Sequence, residues 1–325
     1  MRLHMIPSSA AVASAVALAL VVPVPAAAQA PEQGREPART ADGQPDIQGL
    51  WNNVEAFFVP FERPSELDAQ AEVSADALQA VLEEQAEQKV AAADSGTGAG
   101  PLHWYEYGAT SEPGSTPSLV VDPPDGRLPA LTPFGSQRRE YYQVHRHDAA
   151  ETIAPSDRCV SRGLLGKMLP TFYNNGKMIL QAPGYVVIFS EMIHNARIIP
   201  LDGRPRIADG IRLWEGDARG RWEGNTLIVE TTNYRDMGEM RGSDLHTEQL
   251  RIVERFTVVD GETIDYEARI DDPKTFTAAW TVAYPFKRDP SYQIFEYACH
   301  EANYSVPHML SGARAEEARA AAGRQ

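Results

Sequence analysis

The chain has 325 residues and a formal net charge of −15, with 45 acidic against 30 basic side chains. So large an excess of negative charge gives no electrostatic basis for binding nucleic acid or an anionic membrane surface, and both classes of partner are excluded. The length allows one large β domain or two small ones.

The amino terminus has the organisation of a cleaved signal peptide. Arg2 precedes an apolar run over residues 8–22, and Ala26-Ala27-Ala28 provides small residues for cleavage after Ala28. The run is too short to span a bilayer comfortably, and no later segment reaches about 18 apolar residues. The sequence therefore predicts a signal peptide over residues 1–28 and a mature protein that is periplasmic or secreted, with no membrane span.

Composition divides the rest of the chain into four segments. Residues 29–48 are rich in Pro, Gly, Gln and charge, which is typical of a disordered linker. A stretch dense in Ala, Glu and Leu and then a Pro/Gly-rich stretch predict a helical and irregular segment over residues 49–157, packed on the core. Residues 158–311 predict an antiparallel β domain, and residues 312–325 predict a helical tail.

Short β-prone runs separated by turn residues fill the predicted β domain. They cover residues 177–181, 185–191, 220–222, 226–231, 250–259, 263–270, 278–283 and 292–299. No crossover helix intervenes, so the runs predict antiparallel hairpins and meanders. We therefore predict a mainly β fold, either a single calycin-like antiparallel barrel or a β-sandwich. A barrel interior can hold one small ligand.

The two cysteines, Cys159 and Cys299, are predicted to form one disulfide if the compartment is oxidising. It would close a loop of about 140 residues, which the chain-entropy model values at about 4–5 kcal/mol. A metal site and two free buried thiols are the alternatives.

Residues 246–256 carry polar side chains where an ordinary half-buried strand has apolar ones. With strand alternation, His246, Glu248 and Glu254 share a face with the apolar residues of the run. Because burying charge without partners is costly, such a face predicts a wet cavity or a polar network. We interpret His246, Glu248 and Glu254 as candidate catalytic residues for acid–base chemistry. Alternatively, Glu254 pairs with an inward Arg and His246 lies in solvent at a strand mouth.

Four further residues are predicted to bind substrate. Glu191 ends an apolar run and Arg197 opens another, so each needs a partner in the core. They can pair with each other, or Arg197 can orient a substrate carboxylate by bidentate contact. Trp280 and Glu296 complete the set, although an aromatic residue such as Trp280 more commonly fills a core.

The sequence predicts no metal and no cofactor. His145, His147 and Glu151 have the spacing of a cupin-type metal site, but the glycines that frame such a site are missing, so a polar surface segment is favoured. Cys299 and His300 are adjacent, and neighbours in a strand face opposite sides. The chain also lacks a Gly-x-Ser-x-Gly elbow, a His-Glu-x-x-His motif and a phosphate-cradling loop followed by Lys-Ser or Lys-Thr.

Seven short stretches together resemble a large set of uncharacterised exported bacterial proteins. They cover residues 46–51, 121–127, 201–205, 220–231, 246–256, 271–273 and 296–299. The resemblance spans most of the mature chain. It implies a shared β-rich domain and carries no activity.

The sequence thus predicts an exported small-molecule enzyme that uses cofactor-independent acid–base chemistry in a β-barrel pocket, of lyase, isomerase or hydrolase type. His246 would be the general acid or base, oriented by Glu248 or Glu254, and Arg197 would bind an anionic group. A periplasmic calycin-like binding protein without catalysis is one alternative. A structural envelope or interaction module, in which these polar residues only stabilise the fold, is another.

Overall fold

Antiparallel β-strands dominate the structure, a computed structural model that describes residues 37–67, 76–81, 83, 84, 87, 116–241 and 244–323. The predicted signal peptide lies outside these residues, as does the first part of the predicted linker. The predicted segment boundaries therefore stay predictions. No helix of the described residues is long and apolar enough to cross a membrane.

The described residues form twelve strands and, apart from helical residues 76–81, three α-helices. The strands are β1 (Gly49–Asn52), β2 (Val120–Asp122), β3 (Lys177–Ala182), β4 (Tyr185–Ser190), β5 (Asn195–Pro200), β6 (Asp217–Glu223), β7 (Thr226–Thr232), β8 (Gly238–Arg241), β9 (Asp244–His246), β10 (Arg251–Val258), β11 (Thr263–Asp271) and β12 (Trp280–Arg288). The helices are α1 (Pro133–His145), α2 (Leu164–Met168) and α3 (Ser305–Ala322). Short 3-10 helices cover Val54–Phe58, Ser65–Leu67, Ala150–Thr152 and Met192–His194, and residues 76–81 are helical.

The main sheet curls into a nearly closed barrel. Its nine strands follow the order β5-β4-β3-β1-β12-β11-β10-β7-β6, every pair is antiparallel, and β2 adds to β12 beside this path. The two edge strands approach each other, since a Cβ added to Gly220 on β6 would lie 2.8 Å from Ile199 Cγ2 on β5. Near-closure leaves little free edge for pairing with other chains. The mainly β, barrel-like fold is therefore confirmed.

Side chains fill the interior of the barrel. Strand β10 buries every second residue, and β11 and β12 repeat the alternation, so these buried residues face inward; Thr281 on β12 is the exception, buried on the opposite face. Large aromatic side chains, including those of Phe256, Tyr266 and Trp280, are almost fully buried there. A barrel of about this size is just wide enough for its own side chains.

The predicted hairpins are confirmed, but residues 246–256 do not form one strand. Residues 247–250 make a turn between β9 and β10, with Leu250 N donating to Thr247 O at 3.2 Å. Asp272 stabilises this turn, because its carboxylate accepts hydrogen bonds from Thr247 N and Thr247 Oγ1, each at 2.7 Å. Alternation is broken there, and Glu248 faces solvent.

The strand predicted over residues 292–299 is also absent, because side chains satisfy this segment's backbone. Asp289 Oδ1 accepts from the backbone N–H groups of Ser291 and Tyr292, each at 3.1 Å. Further along, Phe295 N donates to Glu191 Oε1 at 3.0 Å. The segment therefore runs irregularly beside the carboxyl end of β4.

Helix α1 lies within residues 49–157, which the sequence predicts to be helical and irregular. Thr132 caps it by accepting a hydrogen bond from Gly135 N at 2.9 Å, and Pro133 is compatible with the first turn because its missing N–H is not needed there. At the other end of the chain, α3 begins at Ser305, before the predicted tail.

The predicted pairing of the cysteines is confirmed. The sulfur atoms of Cys159 and Cys299 are 2.09 Å apart, and the Cα atoms are 5.6 Å apart. Such a pair is typical of an oxidising, extracellular type of compartment. It links the irregular segment after β12 to the chain just before α2.

Candidate functional site

A closed ion pair occupies the barrel interior. Arg197 Nη1 on β5 donates to Glu254 Oε1 on β10 at 2.9 Å, and Arg197 Nη2 donates to Glu254 Oε2. Thr231 Oγ1 also accepts from Arg197 Nη2 at 2.9 Å, and Tyr266 OH donates to Glu254 Oε1 at 3.0 Å. Both charged side chains are buried. The expectation that Glu254 pairs with an inward Arg is confirmed, and the alternative pairing of Arg197 with Glu191 is wrong.

Trp280 belongs to the same core. Its ring is 1 % exposed and meets the rings of Phe61 and Phe276 edge to face, at centroid distances of 6.0 and 5.7 Å. Edge-to-face contacts of this kind stabilise packing. The substrate-binding roles predicted for Arg197 and Trp280 stay predictions, and both side chains lie within the packed interior.

His246 lies beneath β8 and away from the other two predicted catalytic residues. Its ring is 1 % exposed, its Nδ1 lies 3.0 Å from Thr247 O, and it packs edge to face on Tyr234 at 5.1 Å. Burial lowers its pKa. A Cβ added to Gly238 on β8 would lie 2.2 Å from His246 Nε2, so only glycine allows this packing.

The three predicted catalytic residues do not share one site. Glu248 is exposed in the turn, 3.8 Å from Arg212, whereas Glu254 is bonded to Arg197 in the core. In the part of the chain that the structure describes, no carboxylate lies within ion-pair distance of His246. Their catalytic roles are untested and stay predictions.

Two neighbouring cavities lie outside the barrel interior. The first, here called the Glu239 pocket, has a volume of about 570 Å³ and is lined by Tyr142, Arg146, His147, Ile153, Ala154, Ser156, Asp157, Arg162, Tyr173, Ile193, Glu239, Tyr297 and Met309. The second, here called the aromatic groove, measures about 1080 Å³ and is lined by Ser156, Asp157, Tyr173, Asn174, Glu191, Tyr292, Gln293, Phe295, Glu296, Tyr297, Ala298, Cys299, Asn303 and Ser305. They share Ser156, Asp157, Tyr173 and Tyr297. Both have the size of small-molecule sites.

Glu239 on β8 is the most deeply buried carboxylate of the Glu239 pocket, with 3 % exposure. Its Oε2 accepts a hydrogen bond from Ser156 N at 3.1 Å. Burial raises the pKa of the carboxyl to about 6, although this hydrogen bond acts in the opposite direction. Gly163, before α2, makes the close approach possible, since a Cβ there would lie 1.8 Å from Glu239 O.

Asp157 is the second carboxyl in the Glu239 pocket. Burial raises its pKa, and the nearby positive charges of His147, Arg146 and Arg162 act against this rise. Burial also raises the pKa of Tyr142, with the charge of Glu239 as a further cause. A cavity that combines perturbed carboxyls with basic groups is a candidate for acid–base chemistry.

Strained backbone lies in the walls of both cavities. Ile193, in the Glu239 pocket, has a φ of 61°, and Asn174, in the aromatic groove, has a φ of 57°. A β-branched residue in the left-handed region is a conformational outlier. Such strain costs about 1–3 kcal/mol and persists where the surrounding structure enforces it, often at functional sites.

The irregular segment after β12 forms one wall of the aromatic groove. Glu191, which is 1 % exposed, fixes it: Tyr292 OH donates to Glu191 Oε2 at 2.5 Å, and Phe295 N donates to Glu191 Oε1 at 3.0 Å. His194 Nδ1 lies 2.7 Å from Tyr297 O. Of the four predicted substrate-binding residues, Glu191 and Glu296 therefore come together in this groove.

Sequence reasoning missed Glu239 and Asp157. For Glu239 the available signal was the neighbouring Gly238, because a glycine inside a strand marks a close backbone approach. The cupin-type alternative is not supported, because His145 ends helix α1 and its Nδ1 lies 2.6 Å from Asp148 Oδ2.

No protein-family model, curated protein or solved structure is significantly similar to this chain. The function has therefore to be argued from the residues of the two cavities.

Proposed function

We propose that this protein is an enzyme that transfers protons to and from a small organic substrate held in the Glu239 pocket. Glu239 is the general acid or base, and Asp157 is the second titratable carboxyl of the site. The reaction is an elimination, an isomerisation or a hydrolysis, since each of these needs a proton transfer. The chain performs it without a cofactor.

One observation carries this proposal: a buried carboxyl, Glu239, lines a cavity and has no cation at ion-pair distance among the described residues. Its hydrogen bonds come from Ser156, which carries no charge. A pKa of about 6 allows the carboxyl to gain and lose a proton readily near neutral pH.

Basic residues of the same pocket complete the site. Arg146 and Arg162 line it and would hold an anionic group of the substrate or stabilise negative charge that develops during the reaction. His246 acts from outside as a positioning residue, because its ring packs against Gly238, which precedes Glu239 on β8.

Turnover by the purified mature protein tests the proposal, on a panel of small esters, lactones, glycosides and β-substituted carbonyl compounds. We expect Glu239→Gln to lower kcat/KM by about 10²–10⁴-fold, the usual contribution of a general acid or base. It should also remove a limb near pH 6 from the pH profile, and His246→Ala should keep that limb while lowering the rate.

Two results would decide against this assignment. A limb near pH 6 that survives Glu239→Gln and disappears in His246→Ala would transfer the acid–base role to His246. Ligand binding without turnover across the whole panel would leave a small-molecule binding protein, which the large aromatic groove alone is able to support.

We also propose that the enzyme is exported and acts in the periplasm or outside the cell. The signal-like pattern of residues 1–28 and the disulfide support this location. Mass spectrometry of the secreted fraction should find a mature protein that begins at Gln29. A full-length chain retained in the cytoplasm would contradict export.

A further inference from the structure

The charged side chains that line the aromatic groove are all acidic. Three carboxylates line it, those of Asp157, Glu191 and Glu296, and none of the described residues that line it is a Lys, Arg or His. Glu191 is buried, and its two hydrogen bonds come from a tyrosine hydroxyl and a backbone N–H. Its negative charge therefore has no cationic partner among the described side chains within ion-pair distance.

Four aromatic rings share the walls with these carboxylates, those of Tyr173, Tyr292, Phe295 and Tyr297. Phe295 is 65 % exposed, so its ring is accessible to a ligand in the groove. The faces of aromatic rings carry partial negative charge and attract ammonium groups at distances up to about 6 Å. Aromatic rings and carboxylates in one cavity therefore both favour a ligand that carries an ammonium group.

We infer that the aromatic groove binds the ammonium group of an organic cation. That this cation is also the substrate rests on the proposed function. The groove and the Glu239 pocket share four lining residues, so one molecule can occupy both. A molecule with its ammonium group in the groove would extend its reacting carbon atoms towards Glu239. The net charge of −15 also attracts cations to the protein.

A metal cation fits this groove less well than an organic one. The described residues contain no group of three or more His, Cys, Asp or Glu side chains that could hold a metal ion. Hard cations need about six oxygen ligands, whereas an alkylated ammonium group needs apolar and aromatic surroundings with nearby negative charge. The groove supplies the second set.

Titration of the full mature protein with choline and with 3,3-dimethylbutan-1-ol tests the inference. The two probes have the same shape, and only choline is charged. We expect choline to bind at least about 10-fold more tightly, because the cation–π and carboxylate contacts act on charge rather than shape. Isothermal titration calorimetry at low ionic strength measures both affinities.

Two variants locate the binding. Phe295→Ala and Glu296→Gln change exposed side chains, so both should fold, and each should weaken choline binding about 3- to 10-fold. Glu301→Gln is the matched control, since Glu301 is exposed, lies five residues from Glu296 and does not line the groove. It should bind choline as the wild type does.

Equal affinity for the two probes, no choline binding, or an equal loss in the Glu301→Gln control would overturn the inference. The result for choline binding can be distinguished from the result for the proposed enzyme activity. Choline binding without turnover would support the cation site and refute the enzyme, whereas turnover of uncharged substrates without choline binding would refute only the cation site.

Discussion

The barrel interior and the cavities beside it both bury carboxylates, but the two regions neutralise them differently. In the interior, Glu254 receives a bidentate contact from Arg197 and a third hydrogen bond from Tyr266. In the cavities, Glu239 accepts hydrogen bonds from the uncharged Ser156, and Glu191 receives one from a hydroxyl and one from a backbone N–H.

This difference distinguishes a carboxyl group that stabilises the fold from carboxyl groups that a ligand can reach. The fold itself satisfies Glu254, because a guanidinium group and a tyrosine hydroxyl donate to its two oxygens inside the packed interior. Glu239 and Glu191 are as deeply buried but line cavities, and no described cation lies within ion-pair distance of either carboxyl group.

We expect the largest change in the free energy of unfolding from breaking the Arg197–Glu254 pair in the barrel interior. Arg197→Met should lower the free energy of unfolding by about 3–5 kcal/mol, because it leaves the carboxylate of Glu254 buried without its partner. Urea denaturation measures this loss. The double variant Arg197→Met/Glu254→Leu should recover most of it, since replacing both partners by apolar side chains removes the unpaired charge.

The same substitution at an exposed ion pair is the control. Arg212→Met breaks a contact with Glu248, both side chains of which are substantially exposed, and should cost less than about 1 kcal/mol. If Arg197→Met were as mild as Arg212→Met, Glu254 would have to be solvated or neutral, and the contrast between the two regions would not hold.

The parts of the fold that depend on local pattern could be predicted from the sequence. Alternating residues and turn signals identified the hairpins β3–β4, β6–β7 and β10–β11, and pairing of Glu254 with an inward Arg followed from its place on the inward face of β10, as the alternative to a catalytic role. The disulfide followed from the cysteine count and the compartment.

The cavities could not be predicted, because contacts distant in sequence make them. Glu239 is buried against Ser156, 83 residues earlier, and Glu191 binds Phe295, 104 residues later. The composition of residues 292–299 favours a strand, yet the carboxylate of Glu191 takes the N–H that a strand would pair. No periodicity in a single segment reports such contacts, and the turn at Thr247 likewise depends on Asp272.

A smaller effect, the pH dependence of the free energy of unfolding, tests the contrast between the two regions at Glu239. The pKa of Glu239 is about 6 in the folded protein, against an ordinary value of 4.5. Between these two values the folded protein binds more protons than the unfolded chain, so the stabilisation is complete below pH 4.5 and is lost as the pH rises through 6. The difference corresponds to about 2 kcal/mol.

Gln has a similar shape and cannot ionise, so Glu239→Gln should match the wild type in unfolding free energy at pH 4 and exceed it by up to about 2 kcal/mol at pH 8. Urea denaturation of both proteins across this range gives the difference, in which the other titrating groups cancel. Glu248→Gln, which makes the same change at an exposed carboxyl, is the control. If wild type were instead the more stable protein at pH 8, Glu239 would stabilise the fold as an anion. The Glu239 pocket would then belong to the architecture of the fold rather than to its chemistry.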